Sequence, residues 1–125
     1  MVAIEILNQP YNLKPEQIDF YKKNRYIKLK NVLDLETLAH FNLEISKKVT
    51  ELSQENQPLE QRSTYGKAFL QLFNLWTQDK DIKELIFSKR LAKLAADLMQ
   101  VEGVRLYHDQ ALFKEAGDGI TPWHG

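Results

Sequence analysis

The chain has 125 residues, 43% of them hydrophobic, enough for one domain that buries roughly two thirds of the surface its unfolded chain exposes. Its 17 basic and 17 acidic residues cancel, which argues against a general electrostatic grip on nucleic acid or on an anionic membrane. Cysteine is absent, so disulfides and thiolate sites are excluded, and no segment resembles a signal peptide or a membrane span. We therefore expect a soluble, cytoplasmic protein.

The N-terminal part of the chain is predicted to be mainly helical. Pro15 suits the first turn of a helix that ends near Asn24. Arg25 follows the helix. If its backbone is left-handed, a residue other than glycine there destabilises the fold by about 1 kcal/mol. Residues 26–30 alternate polar and apolar side chains, which predicts a half-buried strand. Asp34 then caps a long helix whose core-facing residues are spaced three and four apart: Leu38, Phe41, Ile45, Val49 and Leu52.

The middle of the chain is predicted to contain a polar loop between apolar segments. Residues 53–65 are polar and include a proline, so we expect a surface loop. The apolar run at residues 69–76 fits a helix or a strand equally well by its spacing. Asp79 and Ser88 are each predicted to cap a short helix, and Gly103 to end the second of these helices.

The C-terminal segment contains the clearest strand signal. Residues 104–113 are predicted to form a strand, and residues 115–119, with two glycines, a turn. His108 and Asp109 are neighbours, so on a strand they point to opposite faces and cannot chelate one ion together. We interpret them as a hydrogen-bonded, partly buried pair. We interpret the large aromatic residues as core rather than as a substrate platform, namely the phenylalanines, Trp76 and Trp123.

Residues 106–114 lead through a glycine-containing loop into Thr-Pro-Trp-His at residues 121–124. This arrangement resembles the phytanoyl-CoA dioxygenase family of iron(II)- and 2-oxoglutarate-dependent oxygenases. The likeness extends to segments that span nearly the whole chain, at residues 13–21, 26–30 and 74–76. In that family a His-x-Asp pair holds the metal, because residues i and i+2 of a strand face the same side. Here Gly125 stands where Gln is usual, and the Asp, a second His and an Arg are missing, so the resemblance implies an oxygenase truncated after its first metal-binding His.

The resemblance assigns roles to three side chains. His124 matches the first iron(II) ligand, since neutral imidazole suits that metal; the alternative is a structural or exposed His. Gln110 aligns with a position that lines the 2-oxoglutarate site, and the alternative is a polar core residue bonded to the backbone. Lys67 resembles a lysine that reaches a carboxylate of the same cosubstrate, and the alternative is a solvated lysine. No catalytic side chain is assigned.

We predict an α+β protein with one domain over residues 1–125. Its expected architecture is a helical N-terminal layer plus the first strands of an incomplete double-stranded β-helix, or jelly-roll, barrel. The expected function is a 2-oxoglutarate-dependent dioxygenase that hydroxylates a small organic or acyl substrate. The alternative is a non-catalytic fragment or interaction module, half of a split oxygenase, that pairs with a complementary C-terminal half or with itself. Neither hypothesis involves nucleic acid or a membrane.

Overall fold

The structure is a computed structural model and describes residues 2–53, 61 and 70–123. The chain is a mixture of helix and sheet in the predicted α+β class. The elements, in chain order, are α1 (Val2–Leu7), α2 (Pro15–Asn24), α3 (Leu35–Ser53), β1 (Leu70–Phe73), a 3-10 helix (Leu75–Thr77), α4 (Lys80–Ile86), α5 (Lys89–Met99) and β2 (Gln110–Phe113). No described helix has both the length and the apolarity needed to cross a bilayer. Most of the predicted 53–65 loop lies outside the described residues.

Helix α2 begins and ends where the sequence predicts. Pro15 occupies the first turn, and Arg25 closes the helix in a left-handed conformation with φ of 66°. The Arg25 backbone N–H donates to the Tyr21 carbonyl at 2.7 Å, which satisfies a carbonyl that the helix end would otherwise leave unpaired. A side chain in this conformation brings Cβ close to the following carbonyl oxygen, and glycine avoids that contact.

The Arg25→Gly substitution should therefore raise the free energy of unfolding by about 1 kcal/mol, or the melting temperature by about 4 °C. Arg25→Ala keeps Cβ and serves as the control, because it removes the guanidinium without relieving the backbone. Thermal unfolding followed by circular dichroism measures both. Equal stabilisation by Gly and Ala would show that the side chain beyond Cβ, rather than the left-handed backbone, causes the effect.

Residues 26–30 are not a strand, so the prediction of regular sheet structure there is wrong. Their burial still alternates as predicted, with Ile27 and Leu29 half-buried and the residues on either side of each exposed. The reason is that a strand is defined by its hydrogen-bonding partner, and no described strand lies beside this segment.

Helix α3 is capped by Asp34, as predicted. Asp34 Oδ1 accepts a hydrogen bond from the Thr37 backbone N–H at 2.8 Å. The helix turns Phe41 and Val49 into the core, whereas Leu38, near its first turn, is exposed and the prediction of a core role for it is wrong. The reason is rotation about the helix axis, because Thr37, four residues before Phe41, takes the buried position and Leu38 is turned away from it.

The hydroxyl of Thr37 and its backbone N–H both lower the pKa of Asp34 below its usual range, and the Arg90 guanidinium adds a smaller effect. The buried Thr37 hydroxyl has no hydrogen-bond partner among the described residues, so we attribute its influence on the pKa to its dipole near the carboxylate. Because the charged form is favoured in the folded state, Asp34 contributes stability above its unfolded pKa and loses it as the pH falls through the folded value.

Comparison of the native chain with Asp34→Asn isolates this charge, because Asn also caps helices well. The difference in unfolding free energy should be constant above about pH 5 and should shrink below about pH 4, near the unfolded pKa of aspartate. Urea titrations at a series of pH values measure it. A difference that did not change with pH would mean that the charge of Asp34 does not stabilise the folded state.

The caps of the next two helices are also confirmed. Asp79 accepts hydrogen bonds from the N–H groups of Asp81 and Ile82 at the start of α4, and Ser88 accepts one from Leu91 at the start of α5. The predicted end of α5 at Gly103 is wrong. The helix stops at Met99, and Gln100 takes the left-handed cap position with φ of 55°.

Arg90 of α5 binds the two segments that connect α1 to α2 and α2 to α3. No pattern in the sequence predicts this role. Its guanidinium is buried and donates to three carbonyl oxygens, those of Val32, Gln9 and Pro10. It also lies 5.4 Å from the ring centre of Tyr11. The N-terminal helix α1, likewise not predicted, is held in the same region and buries Leu7.

Candidate functional site

Strands β1 and β2 form an antiparallel pair in which Leu70 lies opposite Phe113 and Phe73 opposite Gln110. Side chains of a strand alternate between the two faces of the sheet. One face belongs to the core, where Leu70 joins the buried residues of α3, the 3-10 helix and α4, and Leu72 and Ala111 pack against the same cluster. The apolar run at 69–76, which the sequence left as helix or strand, is thus a strand followed by a 3-10 helix.

The opposite side of the pair, which we call the open face, carries four side chains of the two strands and that of His108, two residues before β2. The five residues are Gln71, Phe73, His108, Gln110 and Leu112. Phe73 and Leu112 are 53% and 49% exposed, although both are large and apolar. The His108 ring packs edge-on against Phe73, with 5.4 Å between ring centres. No described helix packs on this face, and four of its side chains are exposed, namely Phe73, His108, Gln110 and Leu112.

Gln110 is exposed at the start of β2. Its Nε2 donates a hydrogen bond to Gln71 Oε1 at 3.0 Å. The alternative interpretation of Gln110, a polar core residue bonded to the backbone, is therefore wrong. An amide group has two N–H donors and a carbonyl acceptor, so the second N–H and the Oε1 of Gln110 have no partner among the described residues. Its role toward 2-oxoglutarate stays a prediction.

Asp109 connects the sheet to the 3-10 helix and is only 8% exposed. Its carboxylate accepts hydrogen bonds from the backbone N–H groups of Leu75 at 2.9 Å and Trp76 at 3.1 Å. Its own carbonyl accepts from the Asn74 N–H at 3.0 Å. The predicted structural role of Asp109 is confirmed, whereas His108 is exposed and the expectation that it is partly buried is wrong. The hydrogen-bond partners of Asp109 are more than 30 residues away in the chain, so no local sequence pattern predicts these contacts.

Removing the Asp109 carboxylate leaves the buried Leu75 N–H without an acceptor. We expect Asp109→Ala to lower the free energy of unfolding by about 3 kcal/mol, and Asp109→Asn, which keeps one acceptor oxygen, by about half as much. Urea denaturation measures both. Glu102→Ala, which removes an exposed carboxylate, is the control and should change stability by about 0.5 kcal/mol at most. Equal effects at positions 102 and 109 would contradict the capping role.

Two of the three residues to which the resemblance assigns roles, Lys67 and His124, lie outside the described residues. In residues 2–53, 61 and 70–123 no three His, Asp or Glu side chains come together as a metal site would require. Only Gln110 can therefore be placed.

The predicted strand at 104–113 is real only over its last four residues, and the turn that follows it is confirmed, with Gly117 at φ of 82°.

The aromatic residues are less buried than predicted. Phe41 is in the core, but Trp123 is fully exposed at the C-terminal end of the described chain, so the expectation of a core role is wrong for it. Trp76 is half-buried against Phe87, with ring centres 5.1 Å apart, and the Lys83 ammonium lies 5.5 Å from the Trp76 ring. Four further phenylalanines are more than a third exposed: Phe20, Phe73, Phe87 and Phe113.

Comparisons of the chain with protein-family models, with curated proteins and with solved structures gave no match.

Proposed function

We propose that this chain is the N-terminal portion of an iron(II)- and 2-oxoglutarate-dependent dioxygenase of the phytanoyl-CoA dioxygenase type. In this proposal β1 and β2 belong to a jelly-roll barrel, and the open face lines its interior. The observation that carries the proposal is the position of Gln110. Its amide lies on the face opposite the helices, where a cosubstrate inside a barrel would meet it.

The two faces of the sheet support this placement. Leu70 and Leu72 face the helical layer, so that face is already occupied. The other face exposes the large apolar side chains of Phe73 and Leu112, which a covering layer would bury. Closing a sheet into a barrel covers such a face and removes its unpaired edges.

Each proposed residue contributes a distinct interaction. The free N–H and carbonyl oxygen of the Gln110 amide would hydrogen-bond 2-oxoglutarate and orient it, and the Lys67 ammonium would pair with one of its carboxylates. His124 would supply one metal ligand, and the remaining carboxylate and imidazole would come from residues outside this sequence. When bound, iron(II) supplies the chemistry that couples oxidative decarboxylation of 2-oxoglutarate to succinate with hydroxylation of a small organic or acyl substrate.

The second candidate is a non-catalytic interaction module. It is favoured by the same exposed side chains on the open face, because a partner chain would bury Phe73 and Leu112 as well as a barrel would. The two candidates differ in the role of Gln110. A cosubstrate contact requires its amide group, whereas a protein contact made mainly by the neighbouring apolar side chains tolerates its loss.

The test is a chimera in which the C-terminal half of a phytanoyl-CoA dioxygenase family protein follows His124 and supplies the Asp of the His-x-Asp pair. The chimera should form succinate from 2-oxoglutarate in an iron-dependent reaction, and His124→Ala should abolish it. Gln110→Ala should weaken 2-oxoglutarate affinity roughly ten- to a hundredfold, the value of about 1.5 to 3 kcal/mol for a hydrogen bond to a charged group.

Gln78→Ala removes an exposed amide away from the open face and should leave 2-oxoglutarate affinity unchanged. Unchanged turnover after His124→Ala in an active chimera would overturn the metal assignment. Equal 2-oxoglutarate affinity in the Gln110→Ala and Gln78→Ala chimeras would overturn the assignment of the open face and favour the interaction module.

A further inference from the structure

The charges of this neutral chain are unevenly distributed. Residues 14–30 contain six basic and two acidic side chains, so this segment has a net charge of +4 and the rest of the chain −4. Such asymmetry within a neutral chain indicates a surface that meets a charged partner. The basic residues are Lys14, Lys22, Lys23, Arg25, Lys28 and Lys30.

These six side chains are exposed, and none has an acidic partner within 4.0 Å among the described residues. Two other lysines of the described residues do lie within 4.0 Å of a carboxylate. Lys48 lies 3.1 Å from Glu51, and Lys93 lies 2.8 Å from Asp97. The positive charge of residues 14–30 is therefore available to another molecule.

An apolar recess lies beside this charge, between α2 and the segment that follows it. We call it the α2 cleft; it is lined by Glu16, Gln17, Phe20, Tyr26, Ile27 and Lys28. Phe20 and Tyr26 meet edge to face with 5.6 Å between ring centres, and they are 43% and 65% exposed. The cleft thus has an aromatic wall that solvent reaches.

Three lysines surround the aromatic pair. Lys23 follows Phe20 by three residues on α2 and is its neighbour on the helix surface. Lys28 lines the cleft itself. Lys30 lies on the same side as Lys28, because exposure alternates along residues 26–30.

We propose that the α2 cleft binds an acidic peptide segment of a partner protein. An apolar side chain of the partner would rest on Phe20 and Tyr26, and flanking carboxylates would meet Lys23, Lys28 and Lys30. This site lies outside the open face, so it is independent of the proposed oxygenase chemistry.

The geometry favours a peptide over a bilayer or a nucleic acid. Membrane insertion uses apolar side chains that protrude, whereas Phe20 and Tyr26 line a recess and pack on each other. Base stacking uses an open ring face, and here the edge of one ring meets the face of the other. Glu16 at the cleft wall would repel a continuous polyanion, but the separate carboxylates of a peptide can avoid it.

The test is fluorescence anisotropy of the full chain with a labelled peptide that has one central Leu flanked by Glu residues. Binding should weaken as salt rises, because the ionic contacts are exposed. The double substitution Lys28→Glu with Lys30→Glu should weaken it roughly tenfold or more, and Phe20→Ala severalfold. Lys47→Glu on the exposed side of α3 is the matched charge control and should leave binding unchanged.

A second peptide, with Lys in place of each Glu, distinguishes loss of charge complementarity from poor folding of a variant. This basic peptide should bind the Lys28→Glu, Lys30→Glu protein more tightly than it binds the native chain. The proposal is overturned if the native chain binds the two peptides equally, if the double substitution has no more effect than Lys47→Glu, or if phosphatidylserine vesicles or a single-stranded oligonucleotide bind more tightly than the acidic peptide.

Discussion

The buried carboxylate of Asp109 determines how the sheet meets the rest of the molecule. It accepts the N–H groups of Leu75 and Trp76, which begin the 3-10 helix and would otherwise lack acceptors, while its carbonyl pairs with Asn74. The end of β1 and the start of β2 are thereby fixed side by side. A shift of one residue in the pairing register of β1 and β2 would exchange the two faces of β2 and bring Gln110 into the core. The position of the proposed cosubstrate contact therefore depends on this carboxylate.

Arg90 has the corresponding role in the helical layer. Its guanidinium joins α5 to backbone carbonyls at residues 9, 10 and 32, and Tyr11 packs on it. A buried guanidinium is costly unless its donors are satisfied, and the three carbonyls accept three of its five N–H donors. Helices α1, α2 and α5 are held together by this arrangement, and together with α3 and α4 they form the layer on which one face of the sheet rests.

The local signals in the sequence were reliable where the structure depends on local interactions. Asp34, Asp79 and Ser88 cap helices because each side chain bonds an N–H two or three residues ahead, and such spacing is visible in the sequence. The end of α5 was misplaced because Gln100 takes a left-handed conformation that glycine usually occupies. Residues 26–30 and 104–109 have strand-like patterns and yet are not strands. Alternation of polar and apolar side chains predicts which face of a segment is buried, but it does not predict whether another strand lies beside it to accept and donate hydrogen bonds.

The candidate site was predictable only in part, and for a related reason. Alternation along β2 places Gln110 and Leu112 on one face, but whether that face is the core face or the open face depends on α3, α4 and β1. The contacts of Asp109 and Arg90 that decide this question join residues 33 to 81 positions apart. No spacing rule reaches so far, and a buried Asp or Arg looks like a surface residue in the sequence.

The proposed role of Gln110 requires that its side of β2 be accessible to solvent. Because the chain has no cysteine, a single introduced thiol can report the accessibility of each side. Gln110→Cys places a thiol on the open face, and Ala111→Cys places one beside it on the face that packs against the core. The rate of maleimide labelling under native conditions should be severalfold lower for Ala111→Cys, because that position is partly buried against the core whereas Gln110 is exposed. Equal rates, or faster labelling at position 111, would contradict the assignment of the open face.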